Sequence, residues 1–289
     1  MANAVERAEQ NDGDFVLLPL SQDHLEGALA LSREMSWPYR LADWAAAMEF
    51  GHGLALVRQG TVVGTAGWWP YGETDASIGM IIVSRAEQGR GHGARLVDAV
   101  LAAAGSRVIQ LNSTEEGRPL YERRGFRPIG TIQQHQGLFP GLDDASPPSF
   151  VRQASAEDRQ AIVDLDHVAT GWTRVRMLDG LAGMADVLVL ERDGLARGYC
   201  MSRLFGRGHV IGPVIAENAA DARDLITAAL APLSGQFVRI DTSSATGLGD
   251  WLATLGLERV SDALTMVRGN PAPLCGPAQR FALANQSFG

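Results

Sequence analysis

The feature that most constrains this chain is that its sequence pattern occurs twice. FVLLPLSQDHLEGALAL, from Phe15, is echoed by FVRQASAEDRQAIVDL, from Phe150. LALVRQGTVVG, from Leu54, is echoed by VLVLERDGLARG, from Val187, and LYERRGFRPIG, from Leu120, by WLATLGLERV, from Trp251. Taken at Phe15/Phe150, Gly60/Gly194 and Gly125/Gly256, the offsets are 135, 134 and 131 residues. Near-constant spacing over three elements marks a duplication. A chain of 289 residues then divides into two like units of ordinary domain size. The joint falls in FPGLDDASPP, Phe139 to Pro148, which has linker chemistry. We read a first domain over 14–138, a second over 149–269, and a tail over 270–289 that the repeat does not explain.

Each copy opens on an apolar run followed by a helix start, marked by Ser21 and Asp23 in the first and by Ser155 and Asp158 in the second. A hairpin follows, with a turn glycine (Gly60, Gly194) and a second glycine four residues on. Each copy then runs strand, helix, strand, helix, strand. Such alternation predicts an α/β fold, an α+β mixed sheet repeated in tandem. With 46% hydrophobic residues each unit can build a core. Lys and Arg number 25 against 33 Asp and Glu, a net charge of −8, which argues against a nucleic-acid partner. The two cysteines, Cys200 and Cys275, cannot form a disulfide framework or a zinc site, and no metal is expected. The opening residues, MANAVERAEQNDGD, lack an apolar signal core, and no stretch has the length of a membrane span. The expectation is a soluble cytoplasmic protein, monomer or homodimer, with no membrane partner.

The chemistry concentrates at VSRAEQGRGHG, residues 83–93. An apolar strand, Ile78 to Val83, feeds this glycine turn. The turn opens a helix with Leu96, Val97, Val100, Leu101 and Ala104 at helical spacing and Gly105 as its C-cap. A helix start presents unpaired N–H groups and partial positive charge, and glycines let a ligand approach the backbone. The ligand this favours is a phosphate. The spacing is neither that of a Walker A loop nor that of the dinucleotide fingerprint. Gln88-x-x-Gly91-x-Gly93 resembles the pyrophosphate loop of the GNAT superfamily of N-acetyltransferases, in which Arg or Gln precedes a glycine by three positions and a glycine or alanine by five. In the second copy the aligned residues are AENAADARD, without glycine and with Glu217, Asp221 and Asp224. Acids suit a helix start but repel a diphosphate, so the second unit reads as a degenerate copy that has lost its cofactor site.

The resemblance implies that acetyl-CoA lies between two splayed parallel strands, here Ile78–Val83 and Val108–Leu111. Its amides would pair with the backbone of Ile81 and Val83, and its diphosphate would rest on Gln88, Gly89, Arg90, Gly91, His92 and Gly93. The family's L-Y-x-x-x-G-F stands here as Leu120 to Phe126. It nominates Tyr121 as the general acid that protonates the leaving thiolate, and Asn112 as a hydrogen-bonding partner of the cofactor arm. The competing reading of Tyr121 is a core aromatic; the second copy has Leu252 there. Where many relatives carry a basic glutamate this chain has Ser77, which leaves Asp75 and Glu73 as candidate bases. For the acceptor, SWPYR and GWWPYGETD offer Trp37, Tyr39, Trp69 and Tyr71 with carboxylates nearby, a set suited to a cationic amine. Arg174 and Arg176 in the second unit would recognise a carboxylate. The function so implied is an acetyl-CoA-dependent N-acetyltransferase acting on a primary amine of a small molecule, such as an amino acid or its derivative. A protein lysine or N-terminus as acceptor, and a non-catalytic acyl-CoA sensing module, stand as alternatives.

Overall fold

The computed structural model describes residues 14–142 and 148–289. Two compact units emerge, one reaching from the start of the described chain to Leu111 and including Phe288, the other comprising Asn112–Ser287 and Gly289.

The first unit runs β1 (Phe15–Pro19), α1 (Leu25–Glu34), α2 (Leu41–Phe50), β2 (His52–Arg58), β3 (Thr61–Tyr71), β4 (Asp75–Val83), α3 (His92–Ala104) and β5 (Val108–Ser113), whose last two residues count with the second unit. Its strands stand in sequence order, antiparallel except for the parallel pair β4–β5. The second unit runs α4 (Arg118–Glu122), β6 (Arg127–Leu138), β7 (Val151–Gln153), α5 (Arg159–Thr170), α6 (Val175–Ala182), β8 (Asp186–Arg192), β9 (Leu195–Phe205), β10 (Gly208–Ala216), α7 (Ala219–Leu230), β11 (Phe237–Ser243), α8 (Gly249–Thr254), β12 (Glu258–Arg268) and β13 (Gln279–Ala282). Its sheet order is β12-β6-β11-β13-β10-β9-β8-β7. β6, from the end of the first repeat, pairs antiparallel with both β11 and β12.

The same local chemistry recurs in both units. The β2–β3 hairpin turns on Gln59 and Gly60 at φ 47° and 79°, the two positive values that a two-residue type I′ turn needs. The β8–β9 hairpin turns on Asp193 and Gly194 at 53° and 73°. The second glycine of each hairpin answers to helix packing. A Cβ on Gly64 would lie 3.0 Å from Leu96 of α3, and one on Gly198 would lie 3.1 Å from Leu225 of α7. Each helix therefore sits close against its own sheet, with Leu96, Val97 and Val100 buried from α3 and Ala222, Leu225 and Ile226 from α7. A bulge interrupts each central antiparallel pair, in β4 beside Met80 (φ 52°) and in β10 between Ile211 and Val214.

Cys200 on β9 is fully buried in the core of the second unit, where burial pushes its thiol up to about 12, while Cys275 is exposed. One thiol per folded chain is therefore expected to react with Ellman's reagent at neutral pH, and two in denaturant. Two fast thiols in the native protein would contradict this packing.

Candidate functional site

The first unit brings the glycine turn to the end of β4. Gly89 and Gly91 take φ of 75° and 85°, and among the described residues a Cβ on either would meet nothing within 4 Å. These left-handed values favour glycine on backbone grounds, and the space above them is free. Gly91 is the residue before α3 and has no side chain with which to cap it. Gly93 follows in the first turn of the helix. The chemistry fits a diphosphate: backbone donors, partial positive charge and room for oxygen atoms. Gln88 turns its amide back to donate to the Val83 oxygen at 3.0 Å, which braces the turn on β4. Arg90 is half exposed and ion-pairs at 3.0 Å with the buried Glu87, which Arg58 also meets at 2.8 Å. His92 contributes differently from the expectation. Its ring faces inward, 8% exposed, with its centroid 4.3 Å from that of Phe15, so only its main chain faces the turn.

Below the turn, β4 and β5 pair over Asp75–Ser77 and Val108–Gln110 only. Past Ser77, along Ile81 and Val83, no strand among the described residues of this unit pairs with that side of β4. At the paired end Asp75 accepts from Thr74 Oγ1 at 2.7 Å, and Glu73 is exposed in the preceding turn. Ser77 is buried with its hydroxyl 3.1 Å from that of Tyr71.

The aromatic set divides. Trp37 and Tyr39 are half-buried with ring centroids 6.4 Å apart, and Tyr39 lies 6.0 Å from Trp44. Trp69 and Tyr71, expected to line an acceptor cleft, are instead core residues. Trp69 is fully buried, donates its indole N–H to the Ala47 oxygen at 2.8 Å, and packs on Phe288 with centroids 5.4 Å apart. Tyr71 is buried and donates to the Phe288 oxygen at 2.5 Å. Asp43 is likewise spent, on Arg40 at 2.6 Å.

In the second unit, Tyr121 on α4 is 9% exposed, edge-on to Phe126 at 5.8 Å. Burial raises its phenol to about 12, a shift that Arg124 only partly offsets, so the group stays protonated at neutral pH. Asn112 departs from its expected role: its amide donates to the Gln286 oxygen at 2.8 Å and accepts from Thr265 at 2.7 Å, which spends both ends inside the protein. Arg174 departs further. It is 2% exposed, forks onto Asp166 with bonds of 2.9 and 2.5 Å, and donates to the backbone oxygen of Gly289. Tyr199 also donates to Asp166, at 2.6 Å. The sequence offered one signal for this knot, an acid eight residues before the arginine on the preceding helix. Arg176 is exposed on α6. Removing one member of a buried pair strands the other, so Arg174→Ala is expected to cost about 3–5 kcal/mol in urea unfolding. A loss below about 1 kcal/mol would contradict the ion pair.

At the start of α7, aligned with α3, a side chain caps the helix. Asn218 caps the helix by accepting from the Asp221 N–H at 3.0 Å, and its amide donates to the Asp221 carboxylate at 2.9 Å. Asp221 is buried and ion-pairs with Arg192 at 2.5 Å. Burial, then the adjacent Asp221, raises the Asp224 carboxyl above its ordinary value. Among the described residues no cluster of three or more His, Cys, Asp or Glu could hold a metal, and no helix is long and apolar enough to cross a membrane.

Both halves match acetyltransferase families. The acetyltransferase (GNAT) family matches residues 21–126 and an acetyltransferase (GNAT) domain matches residues 162–277. An uncharacterized N-acetyltransferase of Bacillus subtilis, YitH, is 28% identical over 283 residues, 94% of this chain and 98% of its own. A solved protein of Pyrococcus horikoshii superposes with a TM-score of 0.80 at 17% identity, covering 96% of this chain and 97% of its own. A tandem GNAT protein from the clavulanic acid biosynthesis pathway superposes at 0.60 and 15% identity, covering 90% and 100%. At these identities the two structures speak to the fold.

Proposed function

The chain belongs to the GNAT family of acetyltransferases, and on that premise we propose that it moves an acetyl group from acetyl-CoA to the primary amine of a small molecule. One observation carries the reading. The start of α3 carries two left-handed glycines under free space and no capping side chain, whereas the start of α7 is capped and acidic. The main chain of residues 88–93 holds the diphosphate, Arg90 adds charge at its rim, and the unpaired edge of β4 along Ile81 and Val83 holds the amide-bearing arm as an added strand would.

Acetyl-CoA supplies the acetyl group as a thioester. In the transfer a bond forms between the amine nitrogen and the acetyl carbon, and the carbon–sulfur bond breaks. The proton that the amine loses passes through water to Asp75 or Glu73. The departing sulfur takes a proton from Tyr121, whose burial keeps the phenol neutral until it is needed. Trp37 and Tyr39 offer half-buried aromatic faces to an amine. With Arg174 committed to Asp166, the carboxylate hook anticipated for an amino-acid acceptor is reduced to Arg176.

The test is a thiol-release assay with acetyl-CoA against a panel of amines, amino acids and lysine peptides. Turnover with free amines supports the reading. Turnover confined to peptides moves the acceptor to proteins, and CoA binding without turnover on any member makes the chain a sensor.

A further inference from the structure

The parallel strands β10 and β11 of the second unit pair only at His209–Val238 and Val210–Arg239. Beyond that point β13 lies between them. It runs antiparallel to β10 at Val214–Ala282, Ile215–Arg280 and Ala216–Gln279, and antiparallel to β11 at Thr242–Ala282. Side chains pin the inserted segment along its length. Thr242 Oγ1 donates to the Phe281 oxygen at 2.6 Å. Arg203, 5% exposed, donates to the oxygens of Ala284 at 2.9 Å and Gly212 at 3.3 Å. Gln286 donates to Asp241 at 2.9 Å, and Arg174 to the Gly289 oxygen. Phe281, Ala282, Leu283, Ala284 and Asn285 are all buried. The fit is close, since a Cβ on Gly212 would collide with the backbone oxygen of Leu283. The corresponding gap of the first unit, between β4 and β5 beyond Ser77, receives no strand among the described residues of that unit.

We infer that residues 279–287 are the resident ligand of the second unit: an extended peptide, supplied by the chain itself, that fills a slot of the same construction as the cofactor slot of the first. Two facts make a peptide the matching ligand. Parted strands leave rows of N–H and C=O groups that a third strand satisfies, and the segment supplies them on both sides. The neighbouring helix start is already capped by Asn218 and lined by Asp221, so no anion site adjoins the slot. The second slot is thereby closed to acyl-CoA, and each chain carries a single cofactor site. What the first slot takes rests on the function proposed above; the filling of the second does not.

The test combines amide hydrogen exchange with native mass spectrometry on the full chain, with and without CoA. Amides of 279–285 are expected to exchange at least about a hundredfold more slowly than those of 270–276, and to be unmoved by CoA. One CoA per chain is expected. Exchange of 279–285 as fast as that of 270–276, acceleration there on adding CoA, or two CoA per chain would each overturn the inference. Binding of no CoA would remove the reading of the first slot, while the exchange pattern still decides the second. Thr242→Val, which keeps shape but loses the bond to Phe281, is expected to speed exchange across 281–284 by about tenfold. Unchanged exchange in that variant counts against the pinning.

Discussion

Gly91→Glu is expected to raise the dissociation constant for CoA by more than about a hundredfold while leaving a folded protein. The backbone at this position sits at φ 85°, which an L side chain adopts at a cost of about 1–2 kcal/mol. That strain lowers stability without dissolving the unit, because a Cβ there meets no atom of the described residues within 4 Å. The large effect is electrostatic: a carboxylate at the helix start takes the place and the partial charge that a diphosphate would use. Gly91→Asn separates the two causes. Asparagine tolerates left-handed backbone and brings no charge, so its expected effect on CoA is only several-fold. Asn218→Gly at the start of α7 is the mirror control, expected to cost a few tenths of a kcal/mol of stability and to leave CoA affinity unchanged. Calorimetric titration of the three variants reads the affinities and urea unfolding reads the stabilities, and a Gly91→Glu protein that binds CoA like the parent contradicts the assignment.

Tyr121→Phe is expected to lower kcat by about a hundredfold or more with little change in CoA affinity, the range that positioned proton donors contribute. Equal kcat in the two proteins across pH would return Tyr121 to the core-aromatic reading. The phenol has a second signature. Its ordinary value is 10 and burial raises it to about 12, so between these pH values the folded chain holds a proton that the unfolded chain has released. Stability from this group is complete below pH 10 and is lost as pH rises toward 12, a loss of roughly 2–3 kcal/mol. Tyr199, raised for the same chief reason of burial, adds its own alkaline loss, so the comparison with Tyr121→Phe isolates the share of Tyr121. In the parent, no descending limb of the pH–rate profile is expected from this phenol short of about pH 12.

Features set by short-range chemistry were legible before any coordinates. Gly60 and Gly194 mark the two hairpins because a tight two-residue turn needs a left-handed residue, and both take positive φ. Gly91 and Gly105 bracket α3 because both adopt conformations that side chains disfavour. Residues whose role depends on distant partners were not legible. Arg174 beside Trp172 looks like a surface hook, and only the fold reveals that Asp166 and Tyr199 enclose it. Trp69 and Tyr71 read as an aromatic cleft until Ala47 and Phe288 take up their polar atoms. QRFALAN carries no alternation that announces a strand, and its partners on β10 and β11 lie tens of residues away, so β13 had no local signature. Asn112 illustrates the limit of motif transfer. Its position fits a cofactor contact, but its amide is held by Gln286 and Thr265.

The most direct test of the central claim is a crystal structure of the full chain with CoA. Diphosphate density is expected against the main-chain N–H groups between Gly89 and Gly93, with unbroken peptide density for 279–285 between β10 and β11. Nucleotide density at the start of α7, or a CoA molecule in place of the β13 segment, would contradict it.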